Sequence, residues 1–243
     1  MKSRLLLAVL ALLGSWPALA ADSKDSTVND AIDVLDDLAG TPEKRMPPAM
    51  LRDAAAVIIA PDVVKVGFVV AANHGHGVLL VRQKGGWSDP VFVTLTGGGV
   101  GWQAGVQSTD LFLVIRNARS LDRILRGAGK LTLGGDAAIT AGPIGRDVSA
   151  ATDAQLKAEI LSYSRSRGLF AGVSLEGGTL LVDQAANDRF YYAYKVAVAD
   201  IIGGKVESPK AAGTLRARLA DWSGDREELL PPPPATIIPA KKQ

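Results

Sequence analysis

Short apolar runs separated by glycine-rich breaks occupy residues 57–116, and this alternation is the strongest constraint on the fold. The runs that follow Val57-Ile58-Ile59 are Val63–Ala71, Val78–Gln83, Val91–Leu95, Val100–Gln107 and Asp110–Arg116. The breaks between them are Asn73-His74-Gly75, Lys84-Gly85-Gly86 and Gly97-Gly98-Gly99. Runs of this length with glycine turns are typical of antiparallel hairpins. The sequence therefore predicts a single α+β domain with an antiparallel, barrel- or sandwich-like β core and flanking helices.

Helical patterns flank this β-rich region. The predicted helices are residues 26–39, 117–128 with Asn117 as cap, 187–194 with Asn187 as cap, and 207–223 opened by Ser208-Pro209. The first of these helices is acidic on its outer side, where Asp33 and Asp37 lie one turn apart. This spacing favours a solvated acidic surface over a cation site.

The first 20 residues have the pattern of a secretory signal peptide. A basic start precedes an apolar run, and small residues stand before a cleavage point between Ala20 and Ala21. The chain has 27 Lys and Arg against 25 Asp and Glu, and cleavage would remove Lys2 and Arg4 and leave a net-neutral protein. A neutral protein gives no electrostatic argument for nucleic acid binding. The sequence predicts a periplasmic or secreted protein without a nucleic acid partner.

The C-terminal segment differs in composition from the domain before it. Residues 224–243 are charged and then contain Pro231–Pro234, which favours an extended polyproline segment within a disordered tail. The predicted organisation is a signal peptide at 1–20, a main domain at 27–206, a C-terminal helix at 207–223 and this tail.

Residue usage argues against most catalytic and metal sites. The chain has no Cys and two His, which leaves little material for a thiol nucleophile, a Ser-His-Asp triad or a three-His metal site. His74 and His76 flank one glycine, where a turn or packing role is favoured over a metal pair. Residues 97–105 lack the Lys-Ser/Thr of a phosphate loop, and the glycines around Ser174 lack the spacing of a nucleophile elbow. The sequence predicts no metal and no cofactor, and a hydrolase would need a nucleophile–base pair that these residues do not supply.

One basic pattern suggests a ligand. Arginines recur at spacings of 3, 4 and 3 from residue 116 to residue 126, so a helix would align them in one stripe. Guanidinium groups bind phosphate bidentately, so an anionic headgroup fits such a stripe, while the alternative is a solvated face paired with acids such as Asp122. The candidate lipid-binding residues are Arg116, Arg119, Arg123, Arg126 and Lys130, with Arg165 and Arg167 as a second cluster.

Successive phrases between about residues 54 and 177 resemble the SYLF domain family of lipid-binding and actin-regulating modules. These phrases are Ala56-Val57-Ile58-Ile59-Ala60-Pro61, Gly67-Phe68, Gly75-His76-Gly77-Val78-Leu79-Leu80, Trp87-Ser88-Asp89-Pro90, Gly97-Gly98-Gly99-Val100-Gly101-Trp102-Gln103-Ala104-Gly105, Asp110-Leu111, Ala141-Gly142-Pro143-Ile144-Gly145-Arg146 and Ser162–Gly177. Their order and spacing carry the resemblance, since each phrase alone is weak.

The resemblance implies a non-enzymatic module. Eukaryotic members of the family bind phosphoinositides, some bind and bundle actin, and bacterial members are exported. Some eukaryotic members contact lipid through a basic helix at the start of the domain, whereas residues 26–39 here are acidic and an anionic leaflet would repel them. The leading hypothesis is peripheral binding of anionic phospholipid by an exported protein that does not meet actin. The alternative is a cell-envelope protein-interaction or structural module without a lipid ligand.

Overall fold

A curled mixed sheet carries the core of the protein in the computed structural model. The structure describes residues 24–40, 46–47, 49–67, 70–100, 105–126, 130–142, 158–166, 169–172 and 177–224. The strands are β1 (Ala56–Gly67), β2 (Val70–Gln83), β3 (Gly86–Trp87), β4 (Val91–Val100), β5 (Gly105–Ile115), β6 (Lys130–Thr132), β7 (Ile139–Ala141), β8 (Ile160–Ser166), β9 (Leu169–Gly172) and β10 (Thr179–Val182). The helices are α1 (Lys24–Gly40), α2 (Ala49–Arg52), α3 (Ala118–Arg126), α4 (Gln184–Phe190), α5 (Val198–Ile202) and α6 (Lys210–Ser223). The predicted signal peptide and residues 225–243 of the predicted tail lie outside the described residues.

The strand order explains the curl of the sheet. The order is β6-β10-β4-β2-β1-β5-β8-β7, with β3 paired to β2 and β9 paired to β8. The strands β6 and β7, which are neighbours in sequence, thus lie at opposite ends of the path, and the sheet forms a half-barrel. Among the described pairs, β7 with β8 is parallel and the others are antiparallel. The predicted α+β, single-domain fold with a barrel-like core is confirmed, with one parallel pair that the sequence did not predict.

The strand register defines two ends of the sheet. Ala56 pairs with Ile115 at what is called here the basal end, where β5 finishes and β1 starts. Val66 pairs with Val106 at the distal end. The distal end exposes these two valines together with Val64, whereas the strands nearer the basal end are buried on both faces.

Helices α1 and α6 pack against each other and contact the sheet. Their inward side chains are buried: Val28, Leu35, Leu38, Leu215 and Leu219. The ring of Trp222 on α6 meets Phe112 of β5 edge to face, with ring centroids 5.6 Å apart. This spacing lies in the favourable range for aromatic pairs. The C-terminal helix therefore shares one core with the strands.

The loop after β3 anchors α6. The indole nitrogen of Trp87 donates a hydrogen bond to Ser223 Oγ at 3.1 Å. The carboxylate of Asp89 is buried, accepts a hydrogen bond from Ser208 Oγ at 2.7 Å and lies 3.2 Å from Arg216 Nε. The predicted helix 207–223 begins instead at Lys210, with Pro209 as its N-cap residue. Ser208 was expected to cap this helix and does not, because its hydroxyl donates to Asp89.

Two of the three predicted breaks lie inside strands. Asn73-His74-Gly75 belongs to β2 and Gly97-Gly98-Gly99 to β4, whereas Lys84-Gly85-Gly86 does contain the expected turn. A Cβ atom at Gly75 would lie 2.7 Å from Cγ2 of Val63 on the neighbouring strand. This glycine thus permits close packing between strands, which a turn-based interpretation missed.

Helix α4 begins three residues earlier than the predicted 187–194 and ends at Phe190. Its cap is Asp183, whose Oδ1 accepts a hydrogen bond from the Ala186 N–H at 2.9 Å. Asn187 does not cap the helix, because its Oδ1 accepts a hydrogen bond from the Phe92 N–H at 2.8 Å. The Asn187 side chain is thus used in a contact with a residue distant in sequence and does not cap its own helix.

Candidate anion-binding site

Helix α3 starts at the basal end of the sheet and carries two exposed arginines of the predicted basic stripe, Arg119 and Arg123. It follows β5 and contacts β6 and β10. The Arg119 N–H donates a hydrogen bond to Asn117 Oδ1 at 2.8 Å, so the predicted cap is confirmed. Leu121 and Ile124 are buried, which fixes the inner side of the helix. The arginines at i and i+4 are thereby held on the outer side.

Three cations define what is called here the basic face: Arg119, Arg123 and Lys130. All three are exposed, and within the described part of the chain their side chains form no ion pair. Asp136 lies nearby, and its carboxylate accepts a hydrogen bond from the Thr132 N–H at 2.7 Å. This bond lowers the pKa of Asp136, and the charges of Arg123 and Lys130 lower it further. Asp136 thus adds one negative charge beside Arg123 and Lys130, and its carboxylate also stabilises the turn after Thr132.

The other members of the predicted set lie elsewhere or outside the described residues. Arg116 is half-buried, and its N–H donates a hydrogen bond to the Glu159 carbonyl at 2.9 Å. Burial raises the pKa of Tyr163, and the charge of Arg116 acts on the same phenol in the opposite direction. Arg126 is the last residue of α3, and Arg167 lies outside the described residues.

Arg165 contacts two carboxylates. Its Nε donates a hydrogen bond to Asp110 Oδ2 at 2.6 Å, and its guanidinium also pairs with Asp37 of α1. Burial raises the pKa of Asp110, and the nearby carboxylate of Asp62 raises it further, although an N–H of Asp62 donates a hydrogen bond to it. Arg165 of β8 pairs with Asp110, which lies near the middle of β5. Helix α3 begins only after β5 has ended at Ile115. The structure therefore does not bring Arg165 together with the basic face.

The two histidines lie in β2, so their predicted position in a turn is wrong. Their rings meet edge to face with centroids 5.2 Å apart. His76 Nδ1 lies 3.7 Å from Asp183 Oδ2 and 3.5 Å from Thr94 Oγ1. Among the described residues, no group of three or more His, Cys, Asp or Glu could hold a metal ion. Ser174, considered above as a nucleophile, lies outside them.

Sequence reasoning missed one exposed aromatic segment. Residues 191–197, called here the tyrosine loop, connect α4 to α5. Tyr192 is 88% exposed and Tyr194 is 84% exposed. The sequence does show three tyrosines close together, in Tyr191-Tyr192-Ala193-Tyr194-Lys195. Most of this run was assigned to the predicted helix 187–194.

No helix within the described ranges combines the length and the apolar character needed to cross a bilayer.

The protein family described as "Ysc84: Las17-binding protein actin regulator" matches residues 96–222. This match covers α3, the basic face and the tyrosine loop.

The chain is similar to eukaryotic proteins over most of its length. It is 34% identical over 175 residues to "SH3 domain-containing YSC84-like protein 1" of Xenopus laevis, covering 72% of this chain and 52% of the relative. The human protein of the same name is also 34% identical over 175 residues, covering 72% and 50%. "Protein YSC84" of Saccharomyces cerevisiae is 38% identical over 173 residues, covering 70% and 36%. The chain thus spans about half or less of the length of these relatives. No solved structure matches it.

Proposed function

The chain belongs to the Ysc84, or SYLF domain, family, and on this premise we propose that it is an exported, non-enzymatic module that binds anionic phospholipid headgroups. The observation that supports this proposal is the basic face of α3, with Arg119 and Arg123 one turn apart and Lys130 beside them. Each exposed cation near an anionic membrane surface contributes about 1 kcal/mol of attraction. Guanidinium groups add bidentate hydrogen bonds to phosphate.

The rigidity of α3 favours binding. The buried Leu121 and Ile124 and the Asn117 cap hold the helix before any ligand arrives, so binding orders only the side-chain ends. The acidic helix α1 lies elsewhere, packed against α6. Its Asp36 and Asp37 pair with Arg218 and Arg165, which offsets part of its negative charge.

The test is co-sedimentation of the purified chain with vesicles. Arg119→Gln combined with Arg123→Gln is expected to lower partition onto phosphatidylglycerol vesicles roughly thirty-fold at low salt, because two cations are lost. Neutral phosphatidylcholine vesicles should bind neither protein appreciably, and added salt should reduce wild-type binding. The matched control is Lys65→Gln with Lys210→Gln, which removes two exposed cations outside α3. Wild-type affinity in the arginine variant, or no binding by the wild type, would show the proposal to be wrong.

A protein-binding function is the second candidate, and the family description favours it because it names Las17 binding and actin regulation. The expectation that actin is not a partner draws no support from the comparisons and rests on the proposed export alone. Co-sedimentation of the purified chain with actin filaments separates the two functions. Saturable binding to filaments without binding to anionic vesicles would favour the protein-binding candidate.

A further inference from the structure

The tyrosine loop presents two aromatic rings to solvent. Tyr192 and Tyr194 have the most exposed side chains among the large hydrophobic residues that the structure describes. Tyr191, between α4 and Tyr192, is buried, and its hydroxyl donates a hydrogen bond to the Pro90 carbonyl at 2.7 Å. The loop is therefore attached to the start of β4 at its base, while the two rings project away from the core.

Hydrogen bonds hold the loop in a strained shape. Tyr192 has a φ of 51° and Lys195 a φ of 52°, in the left-handed region that side chains rarely adopt. The carboxylate of Asp188 accepts hydrogen bonds from the N–H groups of Lys195 at 2.9 Å and Val196 at 3.0 Å. Gln184 Nε2 also donates a hydrogen bond to this carboxylate at 2.7 Å. Strain that is maintained by surrounding contacts is typical of ligand-binding segments.

Two basic residues and one carboxylate lie in or beside the tyrosine loop. Arg189 and Lys195 are exposed, and Lys195 Nζ lies 5.3 Å from the centre of the Tyr194 ring. The carboxylate beside them, Asp188, is engaged by the loop N–H groups, and the first of these bonds is the largest cause of its lowered pKa. Arg189 and Lys195 against Asp188 leave a net positive charge beside the rings. This combination is complementary to an anionic lipid surface, where amphipathic rings lie at headgroup depth.

The loop and the start of helix α3 lie toward the same end of the sheet. Helix α3 follows Ile115 at the basal end. The carbonyl that Tyr191 binds belongs to Pro90, just before β4 starts at Val91, and Val91 pairs with Leu79 near the basal end of β2. The exposed valines of the distal end lie at the opposite end of the same strands.

From these observations we propose that the tyrosine loop is a second membrane contact, in which Tyr192 and Tyr194 enter the headgroup layer of an anionic phospholipid surface. This inference rests on the proposed function of α3 and adds a second contact to it. The basic face supplies salt-sensitive attraction, and the rings supply an apolar contribution that salt does not screen.

The first test uses the absence of Cys from the chain, which makes single-site labelling clean. Ala193→Cys places a polarity-sensitive fluorophore between the two rings, and Val106→Cys places the same fluorophore on an exposed distal residue. On adding phosphatidylglycerol vesicles, we expect a blue shift of emission at residue 193 and none at residue 106. Equal shifts at both positions, or no shift at residue 193 while the protein is bound, would overturn the inference.

The second test changes the rings themselves. Tyr192→Asn with Tyr194→Asn removes both rings while keeping a residue type that tolerates the left-handed region. Partition onto phosphatidylglycerol vesicles should fall roughly tenfold, and the factor should persist at high salt, unlike that of the α3 variant. The control, Val66→Ser with Val106→Ser, should bind as the wild type does. All these side chains are exposed, so the substitutions should leave the fold intact. The unfolding temperature of each variant checks this.

The outcomes separate the two proposals. If the wild type binds anionic vesicles and the tyrosine variant binds equally well, the loop is not a contact and the function of α3 stands. If the wild type binds no vesicles, both proposals are wrong. If the loop binds a protein and not lipid, the fluorophore at residue 193 should show no emission shift on vesicles of any composition.

Discussion

Gly77→Ala is expected to destabilise the protein by about 3 kcal/mol. A Cβ atom at Gly77 would lie 2.5 Å from the Ile59 carbonyl oxygen and 2.9 Å from Cα of Ala60. Both contacts are with the backbone of the neighbouring strand, which cannot move aside as the end of a flexible side chain can. Overpacking of a core usually costs about 1–3 kcal/mol, and a clash with the main chain lies at the upper end of that range. Thermal unfolding should show a midpoint lowered by roughly 6–12 °C.

Gly213→Ala is the matched control for this substitution. A Cβ at Gly213, in α6, would meet nothing within 4 Å. Alanine is favoured over glycine inside a helix by about 1 kcal/mol, so this variant should be more stable than the wild type. If the two glycine variants had the same unfolding midpoint, close packing between β1 and β2 would not be the reason for glycine at position 77.

Arg165→Met is expected to cost about 2–3 kcal/mol at pH 7. The substitution leaves the buried carboxylate of Asp110 without the guanidinium that donates a hydrogen bond to it at 2.6 Å. Removing one partner of a buried pair costs roughly 3–5 kcal/mol, and the partial exposure of Arg165 reduces this figure. Chemical denaturation of the variant and the wild type measures the difference in the free energy of unfolding.

The loss should depend on pH with a definite sign. Burial raises the pKa of Asp110 in the folded protein. Ionising this carboxyl therefore costs stability once the pH rises above the ordinary pKa of an Asp side chain. Without the cation of Arg165, that cost grows. The deficit of the variant should therefore be largest at pH 7 and should shrink as the pH falls through the raised pKa of Asp110, because the protonated carboxyl no longer needs a cation.

Arg218→Met serves as the control for Arg165→Met. Arg218 Nε lies 3.7 Å from Asp36 Oδ1, and both side chains are about half exposed. Such surface pairs contribute at most about 1 kcal/mol, so this variant should stay close to the wild type at every pH. A pH-independent deficit in Arg165→Met would mean that lost packing, and not the unpaired carboxylate, causes the destabilisation.

The sequence predicted the features that depend on neighbours along the chain. Helix α3 was predicted from the local pattern of residues 117–128 with Asn117 as its cap, and this cap is a contact between residues two positions apart. The fold class was predicted from short apolar runs separated by glycines, which is also a pattern of residues close together along the chain. The turn after β2 also followed from local glycine content.

The features that the sequence did not predict depend on contacts far apart along the chain. Asn187 accepts a hydrogen bond from the backbone of Phe92 and does not cap its own helix. Ser208 donates a hydrogen bond to Asp89. Arg165 resembles a phosphate ligand in the sequence, yet its carboxylate partners lie on β5 and α1. The tyrosine loop was missed because its left-handed residues are stabilised by Asp188, a constraint that residue periodicity does not register.

The packing of α1 against α6 has a consequence for the order of events during synthesis. The first described helix has its apolar side completed by the last one, and the ion pair between Asp36 and Arg218 joins them. A growing chain that has not yet reached residue 210 therefore leaves the apolar side of α1 partly uncovered. The burial of α1 is complete only when nearly the whole described chain has been made, so we expect a chain truncated before α6 to expose apolar surface and to be less stable than the full chain.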